Sequence, residues 1–151
     1  MKKNTRAFSL IEVLIFVTIL SLVFVSAVAV TTYSLRVMTY NEHKILAEHY
    51  AEEGLELVKA EKETDWNIFT NLDTSGGTGT TYCIITLDWY NPGVCPGTYF
   101  LGNPNIFSRE VVLTNQGSNP VNQTDVKLKV YWTEGHDVFD VTLKSTLRVL
   151  E

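Results

Sequence analysis

The sequence predicts an α+β fold, a long N-terminal helix laid against a small antiparallel β-sheet, and three observations predict it. An apolar run from Phe8 to Val30 carries one charged residue, Glu12, and neither Gly nor Pro interrupts the chain from there until Gly54. From Asn41 to Asp65 the apolar residues fall on one face at helical spacing. Beyond residue 80 the pattern changes to an alternation of period two, clearest at Val126, Leu128, Val130 and Trp132. A one-faced helix and a one-faced sheet each need a cover, and packing them together supplies both.

Residues 1–7 form a basic leader containing Lys2, Lys3 and Arg6. Residues 8–30 follow as a membrane-spanning segment: 23 residues make about 34 Å of helix, enough for a hydrocarbon core of about 30 Å. No basic residue follows Arg6 until Arg36, which predicts a cytoplasmic N-terminus and an exported C-terminus. Glu12 is costly in such a place, and acids in membrane segments usually serve a function. An ordinary secretory signal is the rival reading, and Ala27-Val28-Ala29 offers it a cleavage site. The apolar run is longer than such signals need, however, and Glu12 interrupts it without purpose.

The stretch Arg6-Ala7-Phe8-Ser9-Leu10-Ile11-Glu12 resembles the N-terminal signal of type IV prepilins and of the pseudopilins of type II secretion. The resemblance implies that a prepilin peptidase cuts between Ala7 and Phe8 and that the new amino terminus on Phe8 is methylated. That family usually has Gly before the cut, where Ala7 stands here. It also implies an assembly role for Glu12, whose carboxylate would meet the charged amino terminus of a neighbouring subunit. The implied partners are prepilin peptidase, other pilins or pseudopilins in a filament, and an inner-membrane assembly platform with its ATPase. The implied location is a single pass through the inner membrane, then a periplasmic or extracellular filament.

Residues 31–66 continue the helix into the soluble part, so that one helix from Phe8 to about Glu63 would measure about 84 Å. His43, Ala47, Tyr50, Ala51, Gly54, Leu57 and Val58 share its inner face, and Glu48, Glu52, Glu56, Lys59 and Glu63 lie opposite. Ala47, Ala51 and Gly54 leave room for close approach to strands. The run Ala51-Glu52-Glu53-Gly54-Leu55-Glu56-Leu57-Val58, with Trp66 following, is similar to the same helix in minor pilins and favours a minor over a major subunit.

Residues 67–151 contain the sheet. Thr74 to Thr80 reads as a Gly-rich flexible connector, and Thr81–Asp88, Thr98–Leu101 and Phe107–Thr114 read as strands. After a polar loop from Asn115 to Thr124, Val126–Trp132 and Phe139–Val149 form a hairpin around Glu134-Gly135-His136-Asp137.

Cys83 and Cys95 flank a turn-rich loop containing Asn91-Pro92-Gly93. In an exported domain they can close as a disulfide; the alternatives are two free thiols or half of a metal site. Beyond Val30 the chain has 9 basic and 16 acidic residues, a net charge of −7, which argues against nucleic acid as a partner. His43 and His49 do not share a helix face, His136-Asp137 sits at a turn, and Asp73 is a single carboxylate. No catalytic or metal motif is present, so the sequence points to a structural subunit without cofactor, not to an enzyme. The alternative of a different class is a membrane-anchored or secreted binding or adhesion domain with an ordinary targeting segment.

Overall fold

The computed structural model describes residues 9–89, 91–97, 100–117 and 120–149. The chain divides into two compact units, Met1–Glu42 and His43–Glu151. Helix α1, Leu10–Thr64, contributes to both.

In the first unit every residue from Ser9 to Thr39 is exposed. Fifteen large apolar side chains between Leu10 and Val30 are among them. The hydroxyls of this stretch turn back onto the helix: Thr18 donates to Ile15 O, Ser21 to Thr18 O, Ser26 to Leu22 O and Val23 O, Thr31 to Ala27 O and Thr32 to Val28 O. Such bonds satisfy a hydroxyl where water is absent.

In the second unit the helix buries Ala47, Ala51, Gly54 and Val58, with His43, Tyr50 and Leu57 half-buried. Glu48, Glu52, Glu56, Lys59 and Glu63 are exposed, so the expected two faces are those observed. The helix ends at Thr64, and Asp65 caps a second helix, α2, Trp66–Asn71, by accepting from the N–H groups of Asn67 and Ile68. The sequence reading missed α2.

Four strands follow, β1 (Thr80–Cys83), β2 (Phe107–Gln116), β3 (Gln123–Glu134) and β4 (Asp137–Arg148). They form an antiparallel sheet in chain order. The β2–β3 register pairs Phe107 with Trp132, Arg109 with Val130, Val111 with Leu128 and Leu113 with Val126, and all eight side chains are buried. This is the inner face, on which α1 packs: a methyl group built on Gly54 would stand 2.6 Å from Leu128 Cδ1. The β3–β4 hairpin turns on Gly135 and His136, with Gly135 at φ 64° in the first of the two turn positions. A left-handed residue there is what a right-twisted hairpin requires.

Three expectations need correction. The strand begun at Thr81 stops at Cys83 instead of running to Asp88: Ile84 N–H still bonds Arg109 O of β2, but the carbonyls of Ile84 and Ile85 turn to the Arg109 guanidinium. Of the stretch expected as a strand from Thr98, residues 98 and 99 lie outside the described residues, and Leu101 makes only an isolated bridge to Phe107. The polar loop after β2 is shorter than expected, since β2 continues to Gln116 and β3 begins at Gln123.

Candidate functional site

The first turn of α1 is built from Ser9 outward. Ser9 O accepts from the N–H groups of Glu12 and Val13, and Glu12 occupies the first helical turn. An acid there faces the positive end of the helix dipole, and Ser-x-x-Glu is the spacing of a capping box. The carboxylate itself is exposed and has no partner among the described residues. Ala7 and Phe8, the residues of the expected cleavage and methylation, lie outside the described residues. The helix that follows is long and apolar enough to cross a membrane. Removing a large apolar side chain from water is worth about 1.5–3 kcal/mol. Fifteen of them together outweigh the whole stability of an ordinary domain, about 5–15 kcal/mol. A stretch of this kind requires a covering environment.

The second unit holds three polar centres. Arg109, 1% exposed, stands on the inner face of β2 and joins three parts of the unit. Its Nε donates to Ile84 O at 3.0 Å and its Nη2 to Ile85 O. Its Nη1 donates to Tyr50 O at 2.9 Å and to Glu53 Oε2 at 2.7 Å. The guanidinium thus anchors the segment after β1 to α1. The sequence did carry a signal for it: Arg109 occupies an inward position in the alternation Phe107, Val111, Leu113.

Asp73 is the second centre. Its Oδ1 accepts from the N–H and hydroxyl of Ser75 and from the Thr80 hydroxyl, and its Oδ2 accepts from the Asn115 N–H at 2.7 Å. Desolvation pushes the carboxyl upward, but the bonds from Asn115, Ser75 and Thr80 outweigh it and hold the pKa below the ordinary aspartate value. The stretch expected as a free connector is therefore tied at both ends. Asp73 also borders a cleft of about 400 Å³ lined by Trp66, Asn67, Asn71, Asn115 and Asn122. Its carboxylate is committed to the fold and is no free base.

His43 is the third. Its Nδ1 lies 2.6 Å from Glu134 Oε1, which also accepts from Trp132 Nε1 at 2.9 Å, while Phe107 meets the imidazole edge-on. His49 stacks on Tyr50 instead, and His136 is exposed at the hairpin turn. Among the described residues no group of three or more His, Cys, Asp or Glu could hold a metal ion.

Cys83 and Cys95 are joined by a disulfide. The loop it closes is fastened to the outer face of the sheet through Glu110, whose Oε1 accepts from Cys95 N–H at 2.7 Å and from the Tyr131 hydroxyl at 3.0 Å. Burial, and then the hydrogen bond and charge of Glu110, raise the Tyr131 pKa.

Residues 2–28 match the family model described as the prokaryotic N-terminal methylation motif. The N-terminal segment is thus a type IV pilin-like signal of the kind that prepilin peptidase processes, and with the apolar helix it fits a protein anchored in the inner membrane. Helix and four-stranded sheet together have a pilin-like α+β architecture. No curated protein and no solved structure matches the chain.

Proposed function

We propose that this chain is a structural subunit, a minor pilin or pseudopilin, of a type IV pilus or type II secretion-like filament. The observation that carries the reading is Glu12: a carboxylate with no partner among the described residues, at the start of a helical stretch, Leu10–Val30, that exposes large apolar side chains all round. In this reading prepilin peptidase hydrolyses the Ala7–Phe8 bond, removes residues 1–7 and methylates the Phe8 amine. The new cation of one subunit then faces Glu12 of its neighbour. Opposite charges attract far more strongly in apolar surroundings than in water, although desolvation offsets much of the gain. The pair would fix the axial register between subunits, which seven extra residues would spoil.

Residues 8–30 serve first as the membrane anchor and then as the filament core, where packing between helices supplies cohesion. Residues 31–66 carry the chain into the exported domain, and residues 67–151 present the sheet. An inner-membrane platform and its ATPase would draw the subunit out of the bilayer. The role is architectural and needs neither catalysis nor cofactor.

Mass spectrometry of the mature protein tests the first step, with a methylated Phe8 start as the expected result. An intact Met1, or a start near Val30, would mean that the segment only targets or anchors a binding domain. Glu12→Ala tests the second step: the protein should stay in the membrane but fail to enter filaments. Normal incorporation of that variant would refute the role given to Glu12.

A further inference from the structure

We infer that copies of this chain bind one another through two like-charged pairs of opposite sign, Lys127–Lys144 on the sheet of one copy and Glu52–Glu56 on the helix of the next. The inference rests on the filament reading and extends it: the subunit is repeated side by side, not placed once at a tip.

Lys127 of β3 and Lys144 of β4 are direct cross-strand partners. Their neighbours Val126 and Leu128 point into the core, so both lysines stand on the outer face of the sheet, and both are exposed. Side chains so paired start about 5 Å apart, and like charges in that position repel. Neither lysine has an ion pair among the described residues, whereas Lys129, next along the same face, reaches Asp140 at 3.9 Å. The pair borders a shallow cleft of about 360 Å³ with Thr114, Asp125 and Thr146. Asp125 makes no ion pair with either lysine; its carboxylate accepts from Gln116 Nε2, Gln123 Nε2 and the Thr146 hydroxyl.

The helix carries the converse. Glu52 and Glu56 stand one turn apart on its exposed face, and neither has an ion pair among the described residues. Lys44 pairs with Glu48, and Lys59, three residues beyond Glu56, makes no ion pair with it among the described residues. Like charges at this spacing, about 5–6 Å between Cβ atoms, also repel. Each pair is therefore unfavourable in a single copy, and the two spacings match.

One copy cannot join them. The glutamates face away from the buried Ala51 and Gly54, and the lysines lie on the sheet face turned away from α1. The two pairs thus occupy opposite outer surfaces of the same helix-on-sheet unit. Contact between them is heterologous, head to tail, the kind that repeats into an open filament.

Carbodiimide joins a lysine to a carboxylate only in direct contact, which makes it the probe, applied to full-length protein in membranes of cells that carry the assembly system. Wild type should give a covalent dimer whose linked peptides contain Lys127 or Lys144 and Glu52 or Glu56. Lys127→Glu with Lys144→Glu should abolish this link, as should Glu52→Lys with Glu56→Lys, because each leaves the contact without an amine or without a carboxylate to join and also replaces attraction with repulsion at two surface pairs. All four changes together should restore it. All four altered positions are exposed, so the restored yield of the fourfold variant also reports that folding is intact. Unchanged yields in the two partial variants, or no restoration in the fourfold variant, would overturn the inference. Filaments that contain the Phe8-started protein without this cross-link would overturn it while leaving the filament reading intact. The cross-link in membranes without filaments would sustain it and refute the filament reading. Loss of double-stranded DNA binding in the lysine variant, with no cross-link in wild type, would assign the patch to nucleic acid and overturn the inference.

Discussion

Gly54→Ala tests the packing of helix on sheet by the sign of its effect. In a helix interior Ala is favoured over Gly by about 1 kcal/mol, so an exposed Gly54 would make the substitution stabilising. The structure opposes that gain. The new methyl would lie 2.6 Å from Leu128 Cδ1 and 2.9 Å from Arg109 Cδ, against about 3.5–4.0 Å for relaxed carbon contacts. Neither neighbour can withdraw easily. Leu128 is fully buried, and Arg109 is held by bonds to Ile84 O, Ile85 O, Tyr50 O and Glu53. Overpacking of this kind costs about 1–3 kcal/mol. With both neighbours fixed the upper part of that range applies, and the net effect is a loss of about 1–2 kcal/mol. For a unit of this size each kcal/mol shifts Tm by about 4–8 °C, so the fall is about 4–16 °C. Thermal unfolding of the full chain in detergent, followed by tryptophan fluorescence, measures it. A raised Tm would refute the close approach of α1 to β2 and β3.

Three further outcomes follow from Arg109, Asp73 and the disulfide. Arg109→Met should destabilise the second unit by about 3 kcal/mol in denaturant titrations, because the carbonyls of Ile84 and Tyr50 lose a buried donor; Arg109→Lys should recover only part of this, lacking the planar fork. Asp73 has a lowered pKa in the fold, so its contribution is present above the ordinary aspartate pKa and disappears as pH falls through the folded value. Unfolding midpoints measured downward from pH 5 should therefore fall less in Asp73→Asn than in wild type, and parallel curves would refute the Asp73 network. Replacing Cys83 and Cys95 by Ser should cost about 3 kcal/mol for a loop of this length, read as a shift in denaturant midpoint that reducing agent reproduces in wild type and leaves unchanged in the variant.

The parts of the fold legible in the sequence are those with a repeating period. The β3–β4 hairpin shows in the alternation from Val126 to Val149, and the inner face of α1 shows in Ala47, Ala51, Gly54 and Val58. Helix α2 was not legible because six residues are too few to display a period; Asp65 before Trp66 was its only mark, as a cap. The run from Thr81 to Asp88 has the composition of a strand, and composition does not show that Arg109 gathers the carbonyls of Ile84 and Ile85 away from the sheet. The bond between His43 and Glu134 joins residues 91 apart, a closeness that only the tertiary fold creates. Glu12 was legible for the opposite reason: a charge in an apolar run needs no fold to be conspicuous.

The two stretches of α1 are helical under different constraints. From His43 onward the helix satisfies one face within its own unit and leaves the other charged, so its stability is settled inside the chain. From Leu10 to Thr39 no face is covered, yet the backbone is helical throughout and the hydroxyls of Thr18, Ser21, Ser26, Thr31 and Thr32 are returned to it. That combination suits hydrocarbon and equally suits a bundle of identical helices, because both demand internal satisfaction of every polar group. Only Glu12 distinguishes the two. In a bilayer its carboxylate must reach toward the headgroups; between neighbouring helices it can lie beside a cation at the same depth. A helix built solely to remain in lipid would gain by replacing it with Leu, and the retained acid is therefore the part of the segment that argues for assembly over anchoring.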